Sequence, residues 1–282
     1  MLFFNQGLSN LLKMIISIIT IVKNGMPFIR DTISSVITQT YPHIEYIVID
    51  GNSTDGTLEC VNEHMHAITR YISEDDAGIA EAFNKGLKFA TGEYVLFLNA
   101  DDALVNPKVL NQIAYEISKN QYPDLVYGDC EVIERGSSKF LYRTSIDIAI
   151  KDFLRGSIFP HPSTFTKKSY FQKYGSFDNQ FKIAMDYEFF MRGIQESRII
   201  HVPTLVTRVR NGGVSTIDQG RVVSEIILAL KKNGYLQNYF AEDRLRFYFW
   251  IRKCVRSFLS TVGIYKKFQE VRNYIKNTRT SL

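Results

Sequence analysis

YIVIDGNSTDGT, residues 46–57, changes character at its midpoint. Tyr46 to Ile49 is a continuous apolar run, the pattern of a strand covered on both faces. Asp50 to Thr57 is polar and carries glycine, the composition of a loop, and Asp55 or Thr57 is placed to cap a helix after it. A buried strand handing its chain to a polar loop and then a helix is the unit of an α/β sheet.

The same unit recurs on both sides. Upstream, Ile15–Ile21 (IISIITI) is a β-branched run, followed by the loop KNGMP with Pro27 suited to the first turn of a helix. That helix carries Ile29, Ile33, Val36 and Ile37 at helical spacing and stops at Tyr41-Pro42. Downstream, Tyr71–Ser73 predicts a short strand, and Asp75-Asp76-Ala77-Gly78 leads into a helix with Ile79, Phe83, Leu87 and Ala90 on one face. Thr91-Gly92 breaks it, and Tyr94–Leu98 (YVLFL) predicts the next strand, ending at Asn99-Ala100-Asp101-Asp102. Strand–helix alternation predicts a mostly parallel sheet with helices on both faces, whose ligands collect at the carboxyl ends of the strands. Asp50 and Asp101 both fall at such ends.

The chain has 282 residues, 45% of them hydrophobic and 22% charged, ordinary for a globular protein with one large domain. Cys60, Cys130 and Cys254 form no CxxC pair, which argues against a disulfide framework and a zinc site and fits a reduced, cytoplasmic compartment. The apolar run from Met14 to Val22 is too short to span a bilayer and lacks the flanks of a signal peptide. The organised pattern begins at Met14, a candidate first residue of the native chain. Charge is uneven. Residues 221–282 hold 13 Lys and Arg against 4 Asp and Glu, a balance of +9 in a chain of net charge +5, which leaves residues 1–220 at −4. An acidic front and a basic tail suggest two tasks.

Several side chains have both a chemical and a purely structural reading. Asp101 and Asp102, just past a buried strand, suit a divalent cation that neutralises a diphosphate, and equally a solvated turn before Pro107. Asp50 fits hydrogen bonding to a nucleotide and also an Asx turn. Asp76 and Asp186, each near a helix start, read as N-caps, while Asp186 in AMDYEFFMRG also fits a general base. His161, in the polar insertion FPHPSTF, and His201 are ambiguous between site and scaffold.

Taken in order, these segments resemble the family 2 glycosyltransferases, which have the GT-A fold. The parts are SIITIVKN, IDGNSTDGT, SEDDAGIAEAFNKGLKFATGEYVLFLNADD, MDYEFFMR and GGVS at Gly212–Ser215. The pattern is similar to transferases of colanic-acid, capsule and O-antigen assembly. The resemblance implies a GT-A catalytic domain over residues 14–217, then a basic, mostly helical extension over residues 218–282. It implies nucleotide-sugar binding by Thr20, Asn24, Asp50, Asp76, Asn84, Lys85, Asn99 and Asp101, with Asp101 holding Mn²⁺ or Mg²⁺. Asp186 would be the catalytic base of an inverting displacement, and His161 and Glu188 are candidates on the acceptor side. Departures from the family pattern fall at Asn99, which replaces the first acid of D-x-D, and around Gly51-Asn52, which replaces a second acid. A third is Phe83-Asn84-Lys85-Gly86, where many relatives carry a phosphate-binding arginine and Lys85 is the candidate substitute.

The tail includes RLRFYFWIRKCVRSFL, aromatic and aliphatic residues interleaved with cations. It reads either as a basic amphipathic helix at the inner membrane face, where lipid-linked acceptors lie, or as a helix packed on the catalytic domain. Nucleic-acid binding is disfavoured, because the basic character arises from this tail alone. Rival readings are a sugar-phosphate nucleotidylyltransferase, for which the loop Lys23-Asn24-Gly25-Met26-Pro27 is poorly suited, and a catalytically dead nucleotide- or glycan-binding protein.

Overall fold

The computed structural model of the protein describes residues 14–137, 140–144, 159–213, 218–236 and 239–261. Residues 1–13, and Val214 and Ser215 of the GGVS stretch, lie outside them. The first strands run β1 (Ile16–Val22), β2 (Ile44–Asp50), β3 (Arg70–Ser73) and β4 (Tyr94–Phe97), with α1 (Ile29–Ile37), α2 (Thr57–Asn62) and α3 (Ile79–Phe89) between them. After β5 (Ala103–Leu104) and α4 (Val109–Lys119) come β6 (Leu125–Ile133), β7 (Phe140–Thr144) and β8 (Thr164–Lys167). Then follow α5 (Lys168–Tyr174), α6 (Met185–Gly193), β9 (Ile199–Arg210), α7 (Gln219–Lys232) and α8 (Tyr239–Thr261).

The strands form one sheet in the order β3-β2-β1-β4-β8-β6-β9-β5, with β7 on β6. The four N-terminal strands are mutually parallel, and β6 pairs parallel with β9. Strand β8 is antiparallel to both β4 and β6 and so joins the two halves. The apolar runs form strands because both of their faces are covered. In β1, Ile19 packs into one core cluster and Ile16, Ile18 and Val22 into the other; in β4, Val95 and Phe97 face one side and Tyr94 and Leu96 the opposite one. Helices α1 and α4 cover the second face, while α3, α6 and α7 cover the first. Helix α3 comes close to β1 because position 86 has no side chain: a Cβ at Gly86 would meet Ile19 Cγ2 at 2.4 Å.

Three local expectations shift by a residue or two. Pro27 precedes α1, whose N-cap is Phe28. Neither Asp55 nor Thr57 is the N-cap of α2. Gly56 holds that position at φ 91°, while Asp55 Oδ1 accepts the Thr57 N–H at 3.2 Å from just outside the helix. Asp76 likewise stands outside α3, two residues before its N-cap Gly78, whose N–H it accepts at 2.9 Å.

Helix α7 is not a detached tail. Ile226, Ala229 and Leu230 sit in the same cluster as Phe83, Phe97 and Phe189, across the expected boundary at residues 217/218. Among the described residues no helix is long and apolar enough to cross a membrane.

Candidate active site

The loops that leave β1, β2 and β4 open at one end of the sheet, where a cavity of about 740 Å³ is lined by Lys23, Asn24, Asn99, Asp101, His161 and Asp186, among others. Its wall is continued by Tyr127, Gly128 and Cys130 of β6, by Arg135, and by Gly212 and Gly213 after β9.

The first two loops are laced together. The N–H of Asn24 donates to Ser53 Oγ (2.8 Å), that of Gly25 to Thr57 Oγ1 (2.9 Å) and that of Met26 to Asp55 Oδ2 (2.9 Å). In return the Thr54 N–H donates to Asn24 Oδ1 at 2.9 Å. Asn24 and Asn52 hold φ of 52° and 62°, a left-handed backbone that asparagine tolerates better than most residues. Asp50, 1% exposed, anchors the second loop by accepting from the Ser53 N–H (3.1 Å), Ser53 Oγ and Ser73 Oγ (2.6 Å). Asp76 closes over it. A Cβ at Gly51 would meet Asp76 Oδ2 at 2.6 Å, so the glycine is what admits that carboxylate.

Asp101 and Asp102 are adjacent and have opposite fates. The Asp101 side chain is 24% exposed and lines the cavity. Asp102 is 1% exposed, accepts from Asn99 Nδ2 at 3.0 Å, and burial together with the charge of Asp101 pushes its carboxyl up to about 8. At neutral pH it keeps its proton and is a poor cation ligand. No group of three or more His, Cys, Asp and Glu suited to a metal occurs among the described residues. One partly exposed carboxylate beside free volume fits a Mg²⁺-type ion, which takes one or two carboxylates and completes its shell with substrate phosphates and water.

Asp186 stands in the first turn of α6 but is not its cap. The N-cap is Ala184, and Asp186 Oδ1 accepts the neighbouring Tyr187 N–H at 2.7 Å. Burial raises its carboxyl to about 6, and the charge of Glu225 pushes the same way. His161 Nδ1 lies 3.9 Å from Asp186 Oδ2. Burial lowers the imidazole to about 4, so at neutral pH the pair is a carboxylate beside a neutral ring rather than an ion pair. His161 Nε2 is buried without a hydrogen-bond partner, and the ring sits among Phe83, Phe97, Phe177 and Phe190.

Six of the sequence candidates do not line the cavity: Asp50 and Asp76, which brace the second loop, and Thr20, Asn84, Lys85 and Glu188. Thr20 is buried within the sheet, accepting from Tyr46 Oη at 3.3 Å. Both ends of the Asn84 amide bind Phe177, its Nδ2 donating to the carbonyl at 2.8 Å and its Oδ1 accepting the N–H at 3.0 Å. Lys85 is held by Glu74 (3.0 Å), Glu81 (3.4 Å) and the Asp75 carbonyl (2.7 Å). Glu188 is fully buried and bridges Arg192 to Lys232 of α7. Each faces away because its neighbours satisfy it on the helix side or in the core. His201 pairs with buried Asp129 at 2.8 Å, the scaffold reading of that residue.

Two arginines invisible to motif reading reach the site. Parallel pairing of β6 and β9 sets Arg210 beside Ile133, two residues before Arg135. Both guanidiniums lie over the Phe28 ring, at 5.2 Å for Arg135 and 4.7 Å for Arg210. Arg210 donates to the Asp101 carbonyl (2.9 Å) and to Asp31 (2.6 Å), steadying the turn. Arg135 Nη1 lies 3.6 Å from Asp101 Oδ2, and the side chain remains 47% exposed. Only the sheet register brings them together.

A sheet whose N-terminal strands run parallel, with polar loops at their carboxyl ends and a partly buried carboxylate facing them, is the layout of a nucleotide-sugar transferase. The glycosyl transferase family 2 model matches residues 17–192, and the chain belongs to that family. It is a glycosyltransferase of GT-A fold, which sets aside the nucleotidylyltransferase and binding-protein readings. It is 29% identical over 215 residues to a PGL/p-HBAD biosynthesis glycosyltransferase of Mycobacterium bovis, covering 75% of this chain and 80% of that one. An uncharacterized glycosyltransferase of Rickettsia prowazekii is 28% identical over 269 residues, covering 82% and 84%. Among solved structures, residues 1–349 of S. aureus TarS with UDP-GlcNAc superpose at a TM-score of 0.62 with 20% identity, covering 82% of this chain and 70% of that one. A Pyrobaculum calidifontis mannosyltransferase with GDP-Man and Mn²⁺ gives 0.58 with 20% identity, covering 84% and 72%.

Proposed function

We propose that this glycosyltransferase inverts the anomeric configuration of its sugar. The sugar passes from a nucleotide-sugar donor to a lipid-linked or polysaccharide acceptor in bacterial surface-glycan synthesis, of the lipopolysaccharide, capsule or exopolysaccharide kind. The observation that carries the reading is the pair Asp101 and Asp186 on the wall of one cavity, both partly exposed, with burial raising the carboxyl of the second to about 6.

In this reading the laced loops around Asn24 and Asp50 hold the nucleoside. Arg135 takes over the diphosphate contact, since Lys85 is already occupied by Glu74 and Glu81. The acceptor enters beside His161. Asp186 takes the proton of its hydroxyl, a new bond forms from that oxygen to the anomeric carbon, and the bond from that carbon to the diphosphate oxygen breaks. The electron pair leaves with the nucleoside diphosphate. A Mn²⁺ or Mg²⁺ ion on Asp101 supplies charge neutralisation to that leaving group when bound.

The second task belongs to α8. Leu245 and Phe249 pack on the core, while Phe247, Trp250, Ile251 and Val255, spaced as one helical stripe, are exposed. An apolar stripe on a helix rich in Lys and Arg suits an anionic membrane surface on the cytoplasmic side, where a lipid-linked acceptor would be presented.

A melting-temperature panel of UDP-, GDP- and dTDP-sugars, with and without Mn²⁺, tests the donor reading. One nucleotide is expected to stabilise the protein, by about 2.7 kcal/mol at a hundredfold excess over its Kd. No response to any of them would overturn it.

A further inference from the structure

The segment Lys182-Ile183-Ala184 delivers the chain into α6 and so sets where Asp186 stands. Among the described residues these N–H groups have no backbone acceptor outside the local helix. Instead all three converge on one carboxylate from another element, Glu225 of α7, which is 8% exposed. Oε1 accepts from the Lys182 N–H at 3.0 Å, and Oε2 from those of Ile183 at 2.9 Å and Ala184 at 2.8 Å. Ala184, the N-cap of α6, has no side chain able to do this, and no side-chain cap bond is made. Glu225 is therefore a cap supplied from a distant helix. An anion is well placed at that end, where the helix dipole is positive.

We infer that Glu225 is a positioning residue for the transfer reaction, fixing the entry to α6 and through it the carboxylate of Asp186 toward the acceptor hydroxyl. The inference rests on the proposed role of Asp186 as base. It also assigns a task to the region beyond residue 217: helix α7 is part of the catalytic apparatus. Glu225 lies on a helix whose other inward residues, Ile226, Ala229 and Leu230, are apolar. A buried carboxylate among them is expensive unless its oxygens are satisfied, and among the described residues they are satisfied by the site segment alone. If α7 served merely to cover the core, an apolar residue at 225 would do so without that cost.

The groups facing Asp186 are few. His161 comes from the 161–163 turn and Glu225 from α7. Lys182, on the same segment, directs its Nζ to the Ala77 carbonyl at 3.3 Å. Glu188, in the next turn, is paired with Arg192 and Lys232. Glu225 is thus the acidic neighbour whose removal Asp186 should register.

The test is Glu225→Gln in the full chain, with kcat and donor KM followed across pH. The amide keeps the volume but replaces one acceptor with a donor facing N–H groups. Expected are a kcat lower by about 10- to 100-fold, a donor KM within about threefold of wild type, and an acidic limb of the kcat profile displaced to lower pH. Glu225→Asp, which keeps the charge but is one methylene short, should lose kcat and leave the limb where it is. A folded Glu225→Gln protein with an unmoved limb, or with loss confined to donor KM, overturns the inference. If neither variant folds, amide hydrogen exchange on the wild type decides. Protection of residues 182–184 comparable to that of α7 supports the clamp, and loop-like exchange refutes it. Wild-type turnover in Asp186→Asn would instead sink the base assignment. A dead Asp186→Asn alongside an unaffected Glu225→Gln would sink this inference alone.

Discussion

Replacing Asp186 with Asn separates chemistry from architecture more cleanly than any other single change. The substitution is nearly isosteric, and the amide oxygen can still accept the Tyr187 N–H that Oδ1 accepts now at 2.7 Å. Ala184, not Asp186, holds the cap position, so the helix start survives. What disappears is the ability to take a proton, which is worth about 10²–10⁴-fold in kcat for a general base. With the carboxyl at about 6, the base is about nine-tenths ionised at pH 7 and about one-tenth at pH 5. Wild-type kcat should therefore fall about tenfold per pH unit below that point, and the residual rate of Asp186→Asn should not follow this curve. Stability should move the other way. A carboxyl raised in the folded state binds its proton more tightly folded than unfolded, so stability present below about pH 4 is lost as pH rises to about 6. The shift corresponds to about 3 kcal/mol at most, discounted to about 1–2 kcal/mol because the side chain is 20% exposed. At about 2–4 °C per kcal/mol, Asp186→Asn should melt several degrees higher at pH 7 while barely turning over. Steady-state transfer with the matched donor and acceptor, alongside thermal melts at pH 4 and 7, measures both. Wild-type turnover, or a lower melting temperature at pH 7, would refute the assignment.

Treatment with EDTA, or Asp101→Ala, should abolish transfer and leave the melting temperature nearly unchanged; full activity in EDTA would exclude a metal-dependent reaction. Arg135→Ala should weaken a nucleoside diphosphate by about 10- to 100-fold, the range of a charge-assisted bond, and leave the free nucleoside unaffected. Lys85→Ala should change neither, and calorimetry giving the reverse order would return the phosphate contact to Lys85. Trp250→Glu combined with Phe247→Glu should release the protein from vesicles containing anionic lipid while keeping soluble-donor binding, because both side chains are exposed. Sedimentation with such vesicles that is unchanged by the double variant would remove the membrane role.

Much of the architecture was legible from local pattern. The runs IISIITI, YIVI and YVLFL announced buried strands because their residues face a core on both sides, and β1, β2 and β4 lie where those runs fall. The polar loops after β1 and β4 pointed to the cavity, because a strand's carboxyl end is where a parallel sheet opens. Asp101 and Asp186 do line one cavity. The individual destinations of other polar side chains were not legible. Asp102 is as acidic as Asp101 in sequence, yet burial turns it into a neutral hydrogen-bonding group. Lys85 and Asn84 sit in the expected motif, but partners at Glu74, Glu81 and Phe177 take their polar atoms. Arg135, Arg210 and Glu225 carried no motif, being brought to the site by β6–β9 register and by α7 docking against α6. The sequence by itself determined the periodic elements and the polar ends of the strands, because hydrophobic spacing acts between near neighbours in the chain. Only the tertiary structure decided which charges are solvated, which are neutralised and which face the cavity, because those outcomes depend on partners supplied by segments far away in sequence.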